Sequence, residues 1–155
     1  MRHLLPALLL ALASPAFAQA APLAALSATD VPALLKPPAH GERIVAIWAL
    51  DCAYCEANMQ ALAKLQRAHP HGIELVTVAT DDIAQQRTAL ERRLHAAGMD
   101  AYPARAYAAA TPERINYLID PAWGGETPRI LVIHADGTRS GISGALTPEQ
   151  LRKLH

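Results

Sequence analysis

Two cysteines, Cys52 and Cys55, are the residues of this chain whose type and spacing point most directly to chemistry. They are its only cysteines, and they lie three positions apart in the stretch VAIWALDCAYCEANM. A disulfide between them would close a very small loop, and the unfolded-state entropy that a crosslink removes grows with loop length. A purely stabilising disulfide is therefore disfavoured, and a pair that alternates between dithiol and disulfide is favoured.

Metal binding is the main alternative for the pair. Two thiolates supply only half of a tetrahedral site, and the chain contains no second Cys-x-x-Cys motif. A soft Cu(I) ion could still use both sulfurs together with Met59 or a histidine. Met59 falls on the apolar stripe of the predicted helix, which favours a place in the core. A structural disulfide and a pair of inert buried thiols also stay open at this point.

The position of the cysteines indicates which of them reacts. Residues 43–50, RIVAIWAL, form a nearly continuous apolar run, typical of a strand buried on both faces. An amphipathic helix is predicted to follow, so Cys52 lies where the strand gives way to the helix. The free N–H groups and the positive dipole end of a helix N-terminus stabilise a thiolate. We therefore expect Cys52 to attack with a lowered pKa, and Cys55 to resolve the mixed disulfide.

The surrounding pattern predicts an α/β domain in two halves. The first half reads strand–helix–strand–helix, a βαβ unit with parallel strands. The second half begins with a short extended piece and a small helix opened by Thr111-Pro112-Glu113. It continues with a strand at 129–134, a hairpin turn at Asp136-Gly137, a returning strand and a last helix opened by Thr147.

The first twenty residues are predicted to be a secretory signal peptide. Arg2 and His3 precede an apolar run that is too short to span a bilayer comfortably, and Ala16-Phe17-Ala18 has the spacing of a cleavage site. An uncleaved membrane anchor is the alternative. Residues 21–40, rich in Ala and Pro, are predicted to be a flexible lead-in, and residues 41–155 to form the folded domain.

The composition limits the partners of this domain. Among 155 residues, 52% are apolar and 18% charged, which indicates a folded chain with a sizeable core. The 14 acidic and 14 basic side chains balance, so nothing favours binding to nucleic acid or to an anionic membrane surface.

Three stretches together resemble the thioredoxin superfamily, and in particular the exported thiol–disulfide reductases of the TlpA/ResA type. IWALDCAYC is similar to the family's strand and Trp-Ala-x-x-Cys-x-x-Cys motif. GETPRILVI places Thr127-Pro128 where the family has a cis proline facing the cysteines, and HADGTRSGISGALTPEQLRKL is similar to its closing hairpin and helix. The resemblance runs from about Arg43 to the C-terminus. It implies a thioredoxin fold, a central mixed β-sheet flanked by helices, with an insertion before the cis-proline strand.

The resemblance also implies roles around the cysteine pair. Cys52 and Cys55 would be catalytic, and an extended client chain could pair with the backbone next to Pro128 like an added strand. The residues expected to contact substrate are Trp48, Tyr54, Thr127 and Pro128.

Two positions depart from the thioredoxin pattern. Ala46 stands where thioredoxin has a buried acid that accepts a proton from the second cysteine. Glu126 is the candidate substitute, and a solvated loop carboxylate is the alternative for it. Asp51 directly precedes Cys52, and its negative charge opposes thiolate formation.

These features predict a periplasmic, monomeric thiol–disulfide oxidoreductase that reduces disulfides in proteins. The cysteines carry the electrons, so no bound cofactor and no metal is expected. The resemblance implies a membrane-embedded thiol donor that re-reduces the pair. The alternatives are a Cu(I) chaperone that uses the same sulfurs, and a disulfide oxidase or isomerase.

Overall fold

The computed structural model describes residues 22–108 and 112–154, and the predicted signal peptide lies outside them. The described chain folds into one six-stranded sheet with helices on both faces. The strands are β1 Ala24–Leu26, β2 Glu42–Trp48, β3 Ile73–Asp82, β4 Ala104–Tyr107, β5 Arg129–His134 and β6 Arg139–Ser143. The α-helices are α1 Val31–Leu34, α2 Cys55–Ala68, α3 Ile83–Ala96, α4 Pro112–Ile119 and α5 Pro148–Arg152.

The sheet is mixed, as predicted. Its strand order is β1-β4-β3-β2-β5-β6. The first four strands in this order are parallel, while β5 runs antiparallel to β2 and β6 runs antiparallel to β5. The continuously apolar β2 lies between β3 and β5, at the centre of the sheet.

Strand β2 is buried on both faces because helices cover the sheet on each side. Alternate residues of a strand point to opposite faces. Ile44, Ala46 and Trp48 belong to one apolar cluster, with side chains of α2, α3 and α5. Val45 and Ile47 belong to the other, with side chains of α1 and α4. This packing fixes β2 rigidly, and β2 ends four residues before Cys52.

The prediction of a flexible lead-in over residues 21–40 is wrong for the described residues of that segment. Strand β1 pairs in parallel with β4, and Leu26 is fully buried. Val31 and Leu34 of α1 pack into the second apolar cluster, so the fold begins before residue 41. The Ala- and Pro-rich sequence gives no local signal for this strand, because its hydrogen bonds come from β4, a partner far along the chain.

The helix starts follow the sequence signals. Asp82 caps α3, since its carboxylate accepts a hydrogen bond from the Ala84 N–H at 2.8 Å. Thr147, the expected start of the last helix, forms a capping box with Gln150 at the start of α5. Thr111, the expected start of α4, lies outside the described residues. Nowhere in the described chain is a helix both long enough and apolar enough to cross a bilayer.

Strand β4, helix α4 and the following loop fill the segment between α3 and Pro128. Both elements belong to the body of the fold: β4 pairs with β1 and β3, and α4 buries Ile115 and Ile119. The predicted insertion before Pro128 stays a prediction.

Candidate active site

Cys52 and Cys55 form a disulfide in this structure, with their Cα atoms 5.5 Å apart. The two cysteines differ in exposure. Cys55 is completely buried, whereas Cys52 keeps 9% of its surface accessible. A client disulfide therefore reaches Cys52 more easily than Cys55. This difference agrees with the predicted order of attack, in which Cys52 acts first.

The pair lies at the N-terminal end of α2. Cys55 is the first residue of this 14-residue helix, and its sulfur is bonded to that of Cys52. The Cys52 sulfur is thus held beside the first turn, where backbone N–H groups have no partner within the helix. These groups and the helix dipole stabilise the thiolate that forms when the disulfide is reduced.

The segment between β2 and α2, residues 49–54, is named the nucleophile loop below. The Cys52 N–H donates to the Ala49 carbonyl at 3.3 Å, which closes a turn. Leu50 is held through both of its backbone groups. Its N–H donates to an Asp81 carboxylate oxygen at 3.0 Å, and its carbonyl accepts from an Arg93 guanidinium nitrogen at 3.2 Å.

A groove of about 500 Å³ opens beside Cys52 on the side of α3. Its charged lining comes from three residues: Asp51, Glu56 and Arg93. Arg93 Nε lies 3.8 Å from a carboxylate oxygen of Glu56. The groove that Cys52 lines therefore presents mixed charge.

Thr127 and Pro128 lie at the same end of the sheet as the cysteines. Strands β2 and β5 are antiparallel neighbours, and Ile47 near the end of β2 is paired with Arg129 at the start of β5. The Thr127–Pro128 peptide bond is cis. The Pro128 carbonyl accepts from the Gly144 N–H at 2.9 Å. Within the described residues, no hydrogen bond engages the N–H or the carbonyl of Thr127.

Residues 120–128 are named the proline loop, and a chain of polar contacts braces it. Arg129 forms an ion pair with Asp120, and both side chains are largely buried. Arg129 also donates to the Ser143 hydroxyl at 2.9 Å, and that hydroxyl donates to Glu126. The Ser143 hydroxyl thus links the residues that flank Thr127-Pro128. Gly141 makes room for this contact, because a β-carbon there would collide with the Arg129 guanidinium.

Trp123 anchors the same loop from within. Its side chain is buried in the second apolar cluster, and its indole N–H donates to the Glu126 carbonyl at 2.8 Å. These contacts give Trp123 a packing role within the loop.

The predicted substrate contact by Trp48 is wrong for this conformation. Only 1% of the Trp48 surface is exposed, and the side chain packs in the cluster that contains both cysteines. Trp48 therefore belongs to the apolar core on the side of the sheet where the disulfide lies. Tyr54, by contrast, is 61% exposed and directly precedes Cys55, so it is available to a client.

Glu126 has the properties of an ionised surface carboxylate. It is exposed, and the hydrogen bond from Ser143 lowers its pKa, with a smaller contribution from the positive charge of Arg129. A group that accepts the proton of a buried thiol needs the opposite shift. These contacts do not favour the predicted role of Glu126, and they agree with the alternative of a loop carboxylate.

Three positioning contacts were not apparent from the sequence. Two are those of Asp81 and Arg93 with Leu50. The third is Asn58, a buried amide one turn into α2 from Cys55. Asn58 donates to the Gly144 carbonyl at 3.0 Å and accepts from the Leu146 N–H at 2.9 Å. A buried asparagine on an otherwise apolar helix face was the one sequence signal that could have indicated this link.

The described part of the fold does not add the cysteines to a larger group of metal ligands. Among residues 22–108 and 112–154, no group of three or more His, Cys, Asp or Glu side chains is arranged to hold a metal ion. Met59, considered above as a Cu(I) ligand, is buried in the core.

Several solved thiol–disulfide oxidoreductases have a similar structure. StoA from Bacillus subtilis matches with a TM-score of 0.55 and 21% identity, over 76% of this chain and 84% of that protein. A thioredoxin-family thiol:disulfide interchange protein from Chlorobium tepidum matches with a TM-score of 0.57 and 22% identity, over 91% and 96% of the two chains. A secreted Mycobacterium tuberculosis disulfide oxidoreductase, homologous to E. coli DsbE, matches with a TM-score of 0.54 and 19% identity, over 73% and 78%.

No model of a known protein family matches the sequence, and a search of curated proteins also finds no match. The structural similarity nevertheless defines the architecture. The chain has the thioredoxin fold, as its sequence resemblance implied, and it carries the Cys-x-x-Cys pair at the start of α2.

Proposed function

We propose that this protein is a thiol–disulfide oxidoreductase that reduces disulfides in exported proteins by cycling Cys52 and Cys55 between dithiol and disulfide. The observation that carries the proposal is the disulfide itself, in which Cys52 keeps 9% of its surface accessible while Cys55, the first residue of α2, is completely buried. The thioredoxin fold of known oxidoreductases supports it.

The reaction proceeds in two exchanges. The Cys52 thiolate attacks one sulfur of the client disulfide, a mixed disulfide forms, and the other client sulfur leaves as a thiolate that takes up a proton. Cys55 loses its proton and attacks the Cys52 sulfur, which releases the second client thiol. Two electrons and two protons thus pass from the dithiol to the client, and the Cys52–Cys55 disulfide remains.

The client is expected to bind along the proline loop. The unpaired N–H and carbonyl of Thr127 can pair with an extended client segment, in the manner of an added strand. Exposed Tyr54 lies on the nucleophile loop and offers an aromatic surface to the same segment. Pro128 is buried, and its carbonyl accepts a hydrogen bond from Gly144. It therefore shapes the loop but does not offer a free carbonyl to the client.

The proposed place of work is the periplasm, where the protein acts as a monomer and a membrane-embedded thiol donor re-reduces the disulfide. The signal-like first twenty residues support export. One protein of similar structure is itself described as secreted. The electrons reside in the cysteines, so the proposed cycle includes no bound cofactor.

A trapping experiment tests the cycle. Cys55→Ala retains the attacking sulfur and removes the resolving one, so we expect a covalent adduct with a disulfide-containing protein that dithiothreitol releases. Cys52→Ala is the matched control, because its remaining sulfur is buried, and it should form no such adduct. Absence of adducts with Cys55→Ala, or equal trapping by both variants, would contradict the proposal.

A further inference from the structure

The nucleophile loop depends on side chains from outside itself. Its own structure consists of turns, one of them closed by the hydrogen bond between Ala49 and Cys52. Hydrogen bonds from outside side chains converge on one residue, Leu50, two positions before Cys52. Asp81, near the end of β3, holds the Leu50 N–H, and Arg93 of α3 holds the Leu50 carbonyl. One peptide segment is therefore fixed from two separate elements.

Arg93 suits this place through its shape as well as its charge. A guanidinium is planar and presents five donors in a fixed fork. Its Nη2 atom donates to Leu50, while its Nε atom lies 3.8 Å from Glu56 in the first turn of α2. Arg93 thus links the loop before Cys52 to the helix after it. A lysine ammonium is a single compact centre and cannot span the same two partners in this way.

Arg93 also brings a positive charge into the groove that Cys52 lines. The other charged residues of that groove are the carboxylates of Asp51 and Glu56, and Asp81 holds the loop from β3. These three carboxylates oppose a thiolate on Cys52, whereas Arg93 favours it. Among the charged groups of residues 22–108 and 112–154 that contact this loop or line its groove, Arg93 is the cation.

We propose that Arg93 and Asp81 are positioning residues for the thiol exchange, which hold the Leu50 segment so that the reduced Cys52 sulfur keeps its place at the N-terminal end of α2. In the oxidised protein the disulfide itself holds Cys52 against Cys55. In the reduced protein that bond is absent, so the hydrogen bonds to Leu50 keep Cys52 in its position. Arg93 therefore stabilises the reduced form more than the oxidised form. The biological meaning of this inference rests on the proposed function. Its test does not, because it measures only the thiols of Cys52 and Cys55.

The test compares Arg93→Gln, Arg93→Lys and Arg92→Gln. Arg92 is the matched control, because it is an exposed arginine on the same helix and lies outside the groove. The first measurement is the pH profile of Cys52 alkylation by iodoacetamide in the reduced protein. The second is the equilibrium constant of the Cys52–Cys55 pair with glutathione. Both measure the chain's own thiols and need no client.

For Arg93→Gln we expect the pKa of Cys52 to rise by about one unit, and the equilibrium with glutathione to shift about ten-fold toward the disulfide, which corresponds to about 30 mV. Arg93→Lys keeps the charge but loses the fork, so its shift should be smaller and in the same direction. Arg92→Gln should behave as the unchanged protein. Arg93→Lys also keeps the test usable if Arg93→Gln does not fold.

Asp81 is tested with Asp81→Ala and Asp81→Asn. Asp81→Ala removes the acceptor for the Leu50 N–H, so alkylation of the fully ionised Cys52 should become several-fold slower or faster as the loop loosens. Asp81→Asn keeps an acceptor oxygen and should restore the original rate at high pH. A rate that is the same in Asp81→Ala as in the unchanged protein would overturn the assignment of Asp81.

The inference is overturned for Arg93 if Arg93→Gln and Arg92→Gln show the same pH profile and the same equilibrium constant. A merely structural role would destabilise both redox forms alike and leave that constant unchanged. Should the Arg93 shifts appear while no client disulfide is reduced, the positioning role stands and the proposed function falls. Should client disulfides be reduced while the Arg93 variants show no shift, the proposed function stands and the positioning role of Arg93 falls.

Discussion

The nucleophile loop and the proline loop lie at the same end of the sheet, yet the fold holds them in different ways. The nucleophile loop is held through its main chain, at Leu50, by Asp81 and Arg93. The proline loop is held mainly through side chains, by the Asp120–Arg129 ion pair and the Ser143 hydroxyl.

The difference fits the role that the proposed function gives to each loop. The nucleophile loop contains a sulfur that exchanges its covalent partner, so contacts outside that sulfur must persist while the disulfide opens and closes. The proline loop offers a fixed backbone to a client, and ion-paired side chains brace it without occupying the Thr127 N–H and carbonyl. Breaking each loop separately should therefore affect chemistry in one case and binding in the other.

The largest effect is expected from Cys52→Ser. A serine hydroxyl remains un-ionised at neutral pH and is a poor nucleophile toward sulfur, so reduction of a protein disulfide should fall to the uncatalysed rate. Turnover of a protein disulfide with dithiothreitol as the electron source measures this. The melting temperature, compared with that of the reduced unchanged protein, is the control for folding, and substantial remaining turnover would contradict the assignment of Cys52.

The next effect is expected at the base of the proline loop. Asp120→Ala leaves the largely buried Arg129 without its ion-pair partner, and this should lower the free energy of unfolding by about 1–3 kcal/mol. It should also weaken client binding more than it changes Cys52 alkylation. Urea denaturation and the yield of Cys55→Ala adducts measure the two effects.

Asp120→Asn is the matched control for that prediction. It keeps an oxygen that can accept from Arg129, so its loss of stability should be smaller. Equal effects of the two substitutions on stability and on adduct yield would show that the ion pair does not brace the loop.

These contacts also show which parts of the molecule the sequence could predict. The central strand and the helix start at Thr147 depend on neighbouring residues, and both are as predicted. The cysteine pair could also be predicted from the sequence, because its spacing and its place after a strand are local features. Strand β1 was missed because its hydrogen bonds come from β4.

Part of the site could not be predicted for the same reason. Asp81 and Arg93 lie on different elements and 31 and 43 positions from Leu50, so only the packing of β3 and α3 brings them to it. Trp48 was expected to contact substrate because its motif adjoins the cysteines, but its side chain packs in the core. The Ser143–Glu126 contact likewise requires the pairing of β5 with β6.

A smaller effect is expected from Asn58→Ala, which leaves the Leu146 N–H and the Gly144 carbonyl without their side-chain partner. The free energy of unfolding should fall by about 1–2 kcal/mol. Because Asn58 lies outside both loops, the equilibrium with glutathione should stay unchanged. A shift of that equilibrium comparable to the shift expected for Arg93→Gln would show that the redox pair is not governed mainly by the nucleophile loop.

The smallest effect is expected from Ser143→Ala, whose contacts to Arg129 and Glu126 are exposed to solvent. The pKa of Glu126 is lowered in the folded protein, so its stabilising contribution is present above its ordinary pKa and is lost as the pH falls through the folded value. The difference in stability between Ser143→Ala and the unchanged protein should therefore be largest near neutral pH. Urea denaturation from about pH 7 to about pH 3 measures it, and a difference that grows on acidification would contradict this role of Glu126.

The most direct test of the whole account is a titration of the unchanged protein with glutathione redox buffers, read by the free thiols of Cys52 and Cys55. We predict that the pair opens and closes reversibly, with a reduction potential well below that of the glutathione couple, as a reductant of protein disulfides requires. A pair that never exchanges with a dithiol, or one whose potential lies well above the glutathione couple, would contradict it.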